Sequence, residues 1–221
     1  MFKYFLVLLA LFFCKCASSF RNDIDQCKLL NEKSAEFLDN FYYYNDTSYL
    51  DSALNVINKA LDNCEEYDVL LSYRKLGILS LTHEYQQALL FIETFDSNKF
   101  NQFSYSKNVL YKRFQAMQAQ YVGNIIERNN YLNSIIKELE NFLVLNEQKV
   151  DSVFMTSNTE DILKDLGIAI MQYYYYRSIL EGKDVVSKEL DLKQVEKGQN
   201  EDVVNIIKDV FQEDFMIFIG F

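Results

Sequence analysis

The sequence predicts an all-α fold of antiparallel helical hairpins. The 221 residues contain no proline and only 6 glycines, too few turn residues for a β-sandwich or a doubly wound α/β enzyme. Hydrophobic residues make up 49 % of the chain, which is enough to build a folded core. The length allows one domain, or a domain with a tail.

Residues 1–19 have the pattern of a secretory signal peptide. Lys3 supplies a positive charge, residues 5–13 are apolar, and Ala17 and Ser19 offer small residues for cleavage. This apolar run is shorter than the roughly 20 residues that a membrane-spanning helix needs. We therefore expect an exported protein, periplasmic or secreted. A buried N-terminal helix is the alternative.

Two cysteines follow the apolar run, where bacterial lipoproteins carry a lipidated cysteine. Cys14 comes after Phe13 and Cys16 after Lys15, whereas a lipidation box normally has small residues there. Cys14 and Cys16 are thus lipidation candidates. A lipid-anchored form and a soluble exported form both stay open at this stage.

The other two cysteines, Cys27 and Cys64, are placed so that they could pair across a predicted helical hairpin. Residues 27–44 are apolar at helical spacing, and the turn and N-cap signal at 45–48 precedes a second amphipathic helix. Cys27 and Cys64 each lie about 18 residues from the middle of that turn, or roughly 28 Å along a helix. An antiparallel hairpin would bring the two sulfurs level, and export favours a disulfide. Two unrelated buried thiols are the alternative.

A weak internal repeat is visible between residues 27 and 146. Each unit is predicted to be a helix, a tight turn and a second helix, with an insertion in the third unit near 96–104. The repeated positions are Phe41, Tyr49 and Ser52; Gly77, Tyr85 and Ala88; and Gly123, Tyr131 and Ser134. The turns are assigned to Asn45–Thr47, Thr82–Glu84 and Arg128–Asn130.

These residues resemble the tetratricopeptide repeat family. Leu76-Gly77 with Tyr85 and Ala88 follows the family pattern, and Val122-Gly123 with Tyr131 matches it again. The resemblance covers about half the chain and implies a right-handed array of hairpins with a concave groove that binds another protein or peptide. A non-repeating helical bundle is the alternative. By position, the residues implied to line the groove are Arg74, Ile78, Thr82, Gln120, Asn124 and Arg128, of which the two arginines suit an acidic ligand or a C-terminal carboxylate.

The domain organisation follows from these patterns: residues 1–19 form the signal, 20–146 the hairpins and 147–221 a C-terminal helical segment. Within the last segment, residues 147–158 are predicted to be a linker, and Ser157 and Glu160 a capping box that opens a helix to Leu180. Residues 185–200 are expected to be polar and partly mobile. A final helix is predicted over 201–211. The apolar end, 215–221, is open to burial, docking into a partner or contact with a membrane interface.

The sequence offers no enzyme, metal site or cofactor site. The net charge of −10 argues against a nucleic-acid partner. His83 is the single histidine, and it falls in a predicted turn, so a solvated side chain is favoured over a catalytic one. There is no P-loop or dinucleotide fingerprint. Acid/base pairing stays open for the acidic clusters Asp62, Glu65, Glu66 and Asp68, and Glu138 and Glu140.

Two tyrosine runs are the strongest candidates for partner contacts. Residues 173–176 are four consecutive tyrosines that point in four directions around a helix, so at least one or two must leave the core. Tyr173 and Tyr176 are the partner-binding candidates in this run, and the same reasoning covers 42–44. Tyrosine-rich codon usage with partial burial is the alternative. Asn45-Asp46-Thr47 also matches an N-glycosylation acceptor.

The sequence therefore predicts an exported scaffold that binds another protein, and a role as a lipoprotein in envelope assembly is one form of it. An immunity-type inhibitor that binds a secreted toxin is the alternative. An enzyme of unknown class is the third hypothesis.

Overall fold

A computed structural model describes residues 26–65, 68–95, 106–156, 158 and 165–216. Every regular element in these ranges is helical, which confirms the all-α class. The chain divides into two compact units, the first ending at Ile78 and the second beginning at Leu79. The predicted signal peptide, the lipidation candidates Cys14 and Cys16, and the predicted insertion at 96–104 lie outside the described residues, so those expectations stay predictions.

The first unit opens with the predicted hairpin. Helix α1 covers 26–44, α2 runs over Ser48–Leu61, and α3, Asp68–Leu81, carries the boundary between the units. Asn45 leaves α1 with a φ of 53°, the left-handed conformation that ends many helices. The side chain of Asp46 then accepts a hydrogen bond from the amide of Ser48 at 2.9 Å. The predicted turn is therefore present.

A disulfide joins the far ends of this hairpin. Cys27 and Cys64 lie at disulfide distance with their Cα atoms 5.5 Å apart, and both side chains are buried. This confirms the predicted pairing. The buried stripe of α2 follows the helical period, because its members recur every three or four residues: Leu50, Ala53, Ile57 and Ala60.

Within the described ranges, the second unit contains the end of α3 and seven further helices. Helix α4 packs on α5, α5 on α6 and α6 on α8, while α7, α9 and α10 pack around α8. Side-chain hydrogen bonds show that α4 and α5, and α5 and α6, run antiparallel. Gln86 near the start of α4 pairs with Gln118 near the end of α5, and Gln120 at the end of α5 pairs with Arg128 near the start of α6. The helices are α4 Tyr85–Glu93, α5 Ser106–Tyr121, α6 Ile125–Leu145, α7 Glu147–Phe154, α8 Asp165–Glu181, α9 Lys183–Lys197 and α10 Glu201–Asp209, followed by a 3₁₀ turn at Val210–Gln212.

Two of the three predicted hairpin turns are in place, and the third is shifted. The turn between α3 and α4 contains His83, whose φ is 60°. The third turn lies at 122–124, whereas the predicted one at 128–130 falls inside α6. Gly123 adopts a φ of 77° without a steric penalty, and the Asn124 side chain caps α6 by accepting from the Glu127 amide at 3.2 Å. These two residues end one helix and start the next, so the prediction at 128–130 was wrong.

The C-terminal segment is more helical than predicted. The expected linker contains α7, whose last residue, Phe154, is buried against the ring of Tyr174. The expected mobile stretch contains α9, which follows a turn at Gly182 with a φ of 100°. Val186 and Leu190 are buried one helical turn apart and hold α9 against the core. The prediction missed this helix because the stretch is mostly polar.

The prediction of the last helix is confirmed, because α10 and its 3₁₀ turn cover 201–212. Phe215 is buried, and the Tyr85 hydroxyl donates to the carbonyl of Met216 at 3.5 Å. Residues 217–221 lie outside the described residues, as do Ser157 and Glu160. Whether the remainder of the apolar end is buried, docks into a partner or contacts a membrane interface therefore stays a prediction.

Candidate binding site

Arg74, the first predicted groove residue, is held inside the first unit. Its Nη1 lies 2.9 Å from the carbonyl oxygen and 2.6 Å from the side-chain oxygen of Asn31. The same nitrogen is 2.8 Å from the hydroxyl of Ser34, which is buried. One nitrogen of the guanidinium, Nη1, thus joins α3 to α1. Its placement explains folding more directly than it explains recognition of a carboxylate.

The next two groove candidates differ in exposure. Ile78 is fully buried, so its side chain is not available to a partner in this conformation. The Thr82 side chain is partly exposed and its hydroxyl donates to the carbonyl of Leu79 at 3.4 Å. Position in the repeat therefore does not by itself place a side chain on a surface.

The groove candidates in the third hairpin lie around its turn. Arg128 donates to the side-chain oxygen of Gln120 at 3.0 Å and to that of Asn129 at 2.7 Å. Asn124 caps α6 and donates from its amide nitrogen to the Glu127 carboxylate at 2.7 Å. These contacts bring the three predicted residues to one end of the α5–α6 hairpin. Their binding of a partner stays a prediction.

The four-tyrosine run divides unevenly between core and surface. Tyr174, Tyr175 and Tyr176 are buried, and Tyr173 is partly exposed. Burial raises the pKa of Tyr176, whose side chain is 1 % exposed and therefore out of reach of a partner. Tyr173 remains available as a contact residue.

The second tyrosine run is exposed at the end of the first hairpin. Tyr42, Tyr43 and Tyr44, which we name the tyrosine tip, are 67 %, 81 % and 60 % exposed. The rings of Tyr43 and Tyr44 meet edge to face at 4.7 Å, and Tyr44 stacks on Tyr49 at 5.9 Å. The tip is thus an ordered aromatic surface carried on the last turn of α1.

A second exposed apolar surface lies at the end of the α5–α6 hairpin. Tyr121, Val122, Ile125 and Ile126 flank the turn at Gly123, and all four side chains are exposed. Sequence reasoning missed this surface. The available signal was a run of apolar residues on both sides of a Gly-Asn turn, where polar residues are usual.

His83 is integrated into an aromatic cluster. Its ring stacks on Tyr121 at 4.9 Å, and its Nδ1 lies 3.0 Å from the hydroxyl of Tyr85. Burial first, and then the neighbouring Tyr121 and Asp214, raise the pKa of Tyr85 to about 12. A phenol with that pKa holds its proton at neutral pH and cannot act as a base there. These contacts give His83 a role in packing the turn.

A cavity of about 320 Å³ opens in the second unit beside α6, α7, α8 and α9. The aromatic part of its lining is Phe154, Tyr173 and Tyr174. Burial raises the pKa of Tyr173. Its other lining residues are Glu140, Leu143, Val144, Glu147, Val150, Asp151, Lys193, Lys197 and Gln199.

A charged network lies next to Tyr173 and Tyr174 in the cavity lining. Arg177 contacts both carboxylate oxygens of Glu181, at 2.7 Å each, and also pairs with Glu189 at 2.7 Å. Its guanidinium carbon lies 5.5 Å from the ring centre of Tyr173. Hydrogen bonds from Arg177, with further help from Lys193, lower the pKa of Glu189 to about 2. The network therefore stays charged over the physiological range.

Gln199 is a buried polar residue of the cavity lining, and its backbone amide donates to the carbonyl of Gln194 at 3.1 Å. The residue is 8 % exposed, and its carboxamide oxygen is buried and has no hydrogen-bond partner in the described part of the chain. Gly198 ends α9 with a φ of 65°, and the next residue, Asn200, donates from its amide to the carbonyl of Phe154 at 2.8 Å. The backbone around Gln199 is thus fixed on both sides. Sequence reasoning missed this residue because a lone glutamine carries no motif.

No metal centre is found among the residues that the structure describes: no three His, Cys, Asp or Glu side chains are grouped so that they could hold an ion. Apart from the gaps given above, every helix between 26 and 216 is too short or too polar to cross a bilayer.

Of the acidic clusters, Glu138 forms an ion pair with Lys112 at 2.9 Å.

Comparison of the chain with protein-family models, curated proteins and solved structures returned no match. The chemistry of the surfaces described above is therefore the basis for a functional proposal.

Proposed function

We propose that this chain is an exported, non-catalytic protein that binds another protein through the tyrosine tip. The observation that carries the proposal is the exposure of Tyr42, Tyr43 and Tyr44 together on one helix end. Tyrosine combines a rigid apolar ring with a hydroxyl that water or a partner can satisfy, so it is common among the residues that dominate binding energy. The rings of Tyr43 and Tyr44 are in contact, and tyrosine side chains cost little conformational entropy to immobilise on binding.

The disulfide supports export and a preformed surface. An oxidised Cys27–Cys64 pair persists in compartments outside the cytosol. It closes the hairpin at the end opposite the tyrosine tip. The tip therefore projects from a hairpin whose two helices are already joined, which lowers the ordering cost of binding.

One version of this function is a membrane-anchored assembly scaffold. It combines an array of the tetratricopeptide type with a lipid on Cys14 or Cys16. An immunity-type inhibitor is the second candidate, and the net charge of −10 favours it when the target is basic. Intact mass spectrometry from the native host separates the two versions. A mass that begins at either cysteine with acyl chains supports the scaffold, and a mass that begins near Phe20 supports the soluble inhibitor.

A site-specific photo-crosslinker tests the tyrosine tip directly. Benzoylphenylalanine at position 43 should give a discrete crosslinked product in the native host, whereas the same group at Asn55, exposed on α2, should not. Adding Tyr42→Ser and Tyr44→Ser should remove the product without altering the far-ultraviolet circular dichroism. Equal crosslinking from positions 43 and 55 would contradict binding through the tip.

A further inference from the structure

We infer that Asn45 carries an N-linked glycan, which lies beside the tyrosine tip and limits access to it. Asn45, Asp46 and Thr47 form the Asn-X-Thr acceptor pattern, and the 221 residues contain no other Asn-X-Ser or Asn-X-Thr. The glycan requires the export that the proposed function includes, but it does not require protein binding through the tip.

The acceptor lies on an exposed turn between α1 and α2. Asn45 ends α1 with a φ of 53°, and Asn45, Asp46 and Thr47 are all exposed. A glycan is bulky and solubilising, so it needs an attachment point at the surface. At this turn it displaces no buried side chain.

The two side chains that glycan transfer requires are not engaged by the protein. Among the described residues, the Asn45 carboxamide makes no hydrogen bond, and the Thr47 hydroxyl does not cap α2. Asp46 holds the turn instead, because its carboxylate accepts from the Ser48 amide at 2.9 Å. The carboxamide and the hydroxyl are therefore both available to a transferase.

The cysteine pair in the same hairpin is consistent with the compartment that this chemistry needs. Cys27 and Cys64 lie at disulfide distance, and disulfides persist in oxidising compartments such as the lumen of the endoplasmic reticulum. N-linked transfer likewise takes place on the exported side of a membrane. One location therefore accounts for both features of the hairpin.

The donor for the transfer step is an oligosaccharide joined through diphosphate to a lipid. The Asn45 amide nitrogen attacks the anomeric carbon of this sugar. The nitrogen–carbon bond forms, the bond from that carbon to the diphosphate oxygen breaks, and the lipid diphosphate leaves with the bonding electrons. The proton lost by the amide passes to solvent. The Thr47 hydroxyl does not react, and its role is to bind the transferase and position the acceptor.

The end of α1 places the glycan beside Tyr42. The Asn45 amide donates to the carbonyl of Phe41 at 2.7 Å, so Asn45 continues the helical hydrogen-bond pattern. Residues three apart on a helix are neighbours on its surface, which makes Tyr42 a neighbour of Asn45. Tyr42 is 67 % exposed, and the negatively polarised face of its ring attracts the C–H groups of a sugar. The first sugar therefore covers part of the tip.

Enzymatic release tests the modification on protein purified from the native host. Peptide N-glycosidase F removes N-linked glycans and converts the asparagine that carried them to aspartate. We expect the intact chain to lose mass on treatment, and peptide mass spectrometry to locate the new aspartate at position 45. An unchanged mass in a chain that lacks residues 1–19 would overturn the glycan and leave export standing. An unchanged mass in a chain that retains residues 1–19 would overturn both.

A matched pair of substitutions at Thr47 assigns the modification to the acceptor pattern. Thr47→Ser keeps the hydroxyl and should retain the glycan, whereas Thr47→Ala should abolish it. The hydroxyl makes no capping hydrogen bond, so neither substitution should impair folding, which circular dichroism checks. Asn55→Gln, at an exposed position of α2 outside any acceptor pattern, is the control and should leave the glycan in place. A glycan retained by Thr47→Ala would overturn the assignment.

Nitration by tetranitromethane tests whether the glycan covers the tip. Tyr42 should be nitrated several-fold faster after enzymatic release than before it, because release uncovers the ring. In Thr47→Ala, the same enzyme treatment should leave the nitration rate unchanged. Equal rates before and after release in the native chain would overturn the contact between the glycan and the tip.

Photo-crosslinking distinguishes failure of the glycan from failure of the proposed function. With benzoylphenylalanine at position 43, Thr47→Ala should give several-fold more crosslinked product than Thr47→Ser, because the partner meets an uncovered tip. Equal product from the two variants would overturn the restriction of access. Absence of product from both would reject protein binding through the tip, and the mass and nitration measurements would still decide the glycan.

Discussion

The guanidinium of Arg74 lies within hydrogen-bond distance of both the carbonyl and the side-chain oxygen of Asn31, 43 residues earlier in the chain. Such a contact joins two helices that are not consecutive in the sequence. It gives the first unit a polar clamp alongside its disulfide.

Replacing Arg74 should therefore impair stability before it impairs recognition. Arg74→Ala removes three close polar contacts and leaves the partly buried Asn31 side chain unsatisfied, at a cost of about 2 kcal/mol. Urea denaturation followed by circular dichroism measures the loss. Lys59→Ala, which removes the same charge from an exposed position of α2, should change stability by less than about 0.5 kcal/mol. Unaltered stability in Arg74→Ala would mean that the clamp contributes nothing.

The disulfide should contribute more stability than any single hydrogen bond. Cys27→Ser with Cys64→Ser should lower the free energy of unfolding by about 4 kcal/mol, since the bond closes a loop of about 38 residues. Denaturation with and without a reductant measures this. The reductant should destabilise the native chain and have no effect on the double variant. A native chain that is insensitive to full reduction would contradict the prediction.

The ion network around Glu189 should give an acid-dependent contribution to stability. Its pKa of about 2 in the folded state lies below the ordinary 4.5, so the contribution is present above about pH 4.5 and is lost as the pH falls towards 2. Glu189→Gln should lower the melting temperature at pH 7, and the difference from the native chain should shrink below pH 4.5. Glu196→Gln, at an exposed position of the same helix, should show no such pH dependence. A constant difference from pH 7 to pH 2 would argue against this origin.

Buried tyrosines should make the protein sensitive to alkali. The pKa of Tyr85 is raised from 10.0 to about 12, so its contribution is complete below pH 10 and is lost as the pH rises through 12. Burial also raises the pKa of Tyr175, which adds to the same loss. Tyr85→Phe should reduce the fall in stability between pH 9 and pH 11.5 in urea denaturation. Tyr42→Phe, at the exposed tip, should not reduce it.

The predictability of the fold differs between elements. The α1–α2 hairpin could be predicted because its signals are local: helical spacing, an Asn-Asp turn and two cysteines equidistant from it. The turn at Gly123 was misplaced because a polar run, Arg128–Asn130, also satisfies the composition of a turn. The helix at 183–197 was missed because only Val186 and Leu190 are buried, and a single apolar pair does not outweigh a polar average.

The candidate site was predicted only in part. Tyr173 was chosen because a run of tyrosines cannot be buried on all sides, and it does line the cavity. Gln199 carried no signal, because a lone glutamine in a polar stretch has no motif. Glu140 was noted only as part of an acidic cluster with Glu138, and its place beside Tyr173 in the cavity lining depends on how separate helices pack. The same applies to Ile78, whose repeat position suggested a groove although its side chain is buried.

The sequence by itself determined the helical class, the first hairpin with its Cys27–Cys64 pairing, and the last helix. Periodicity, capping and the equal spacing of two cysteines from a turn act over short stretches of chain, so they can be read without knowing the packing. The tertiary structure decided the partners of the polar side chains. Whether Arg74 contacts Asn31, and whether Gln199 is exposed or buried, depends on how helices pack across long sequence separations, which no local pattern records.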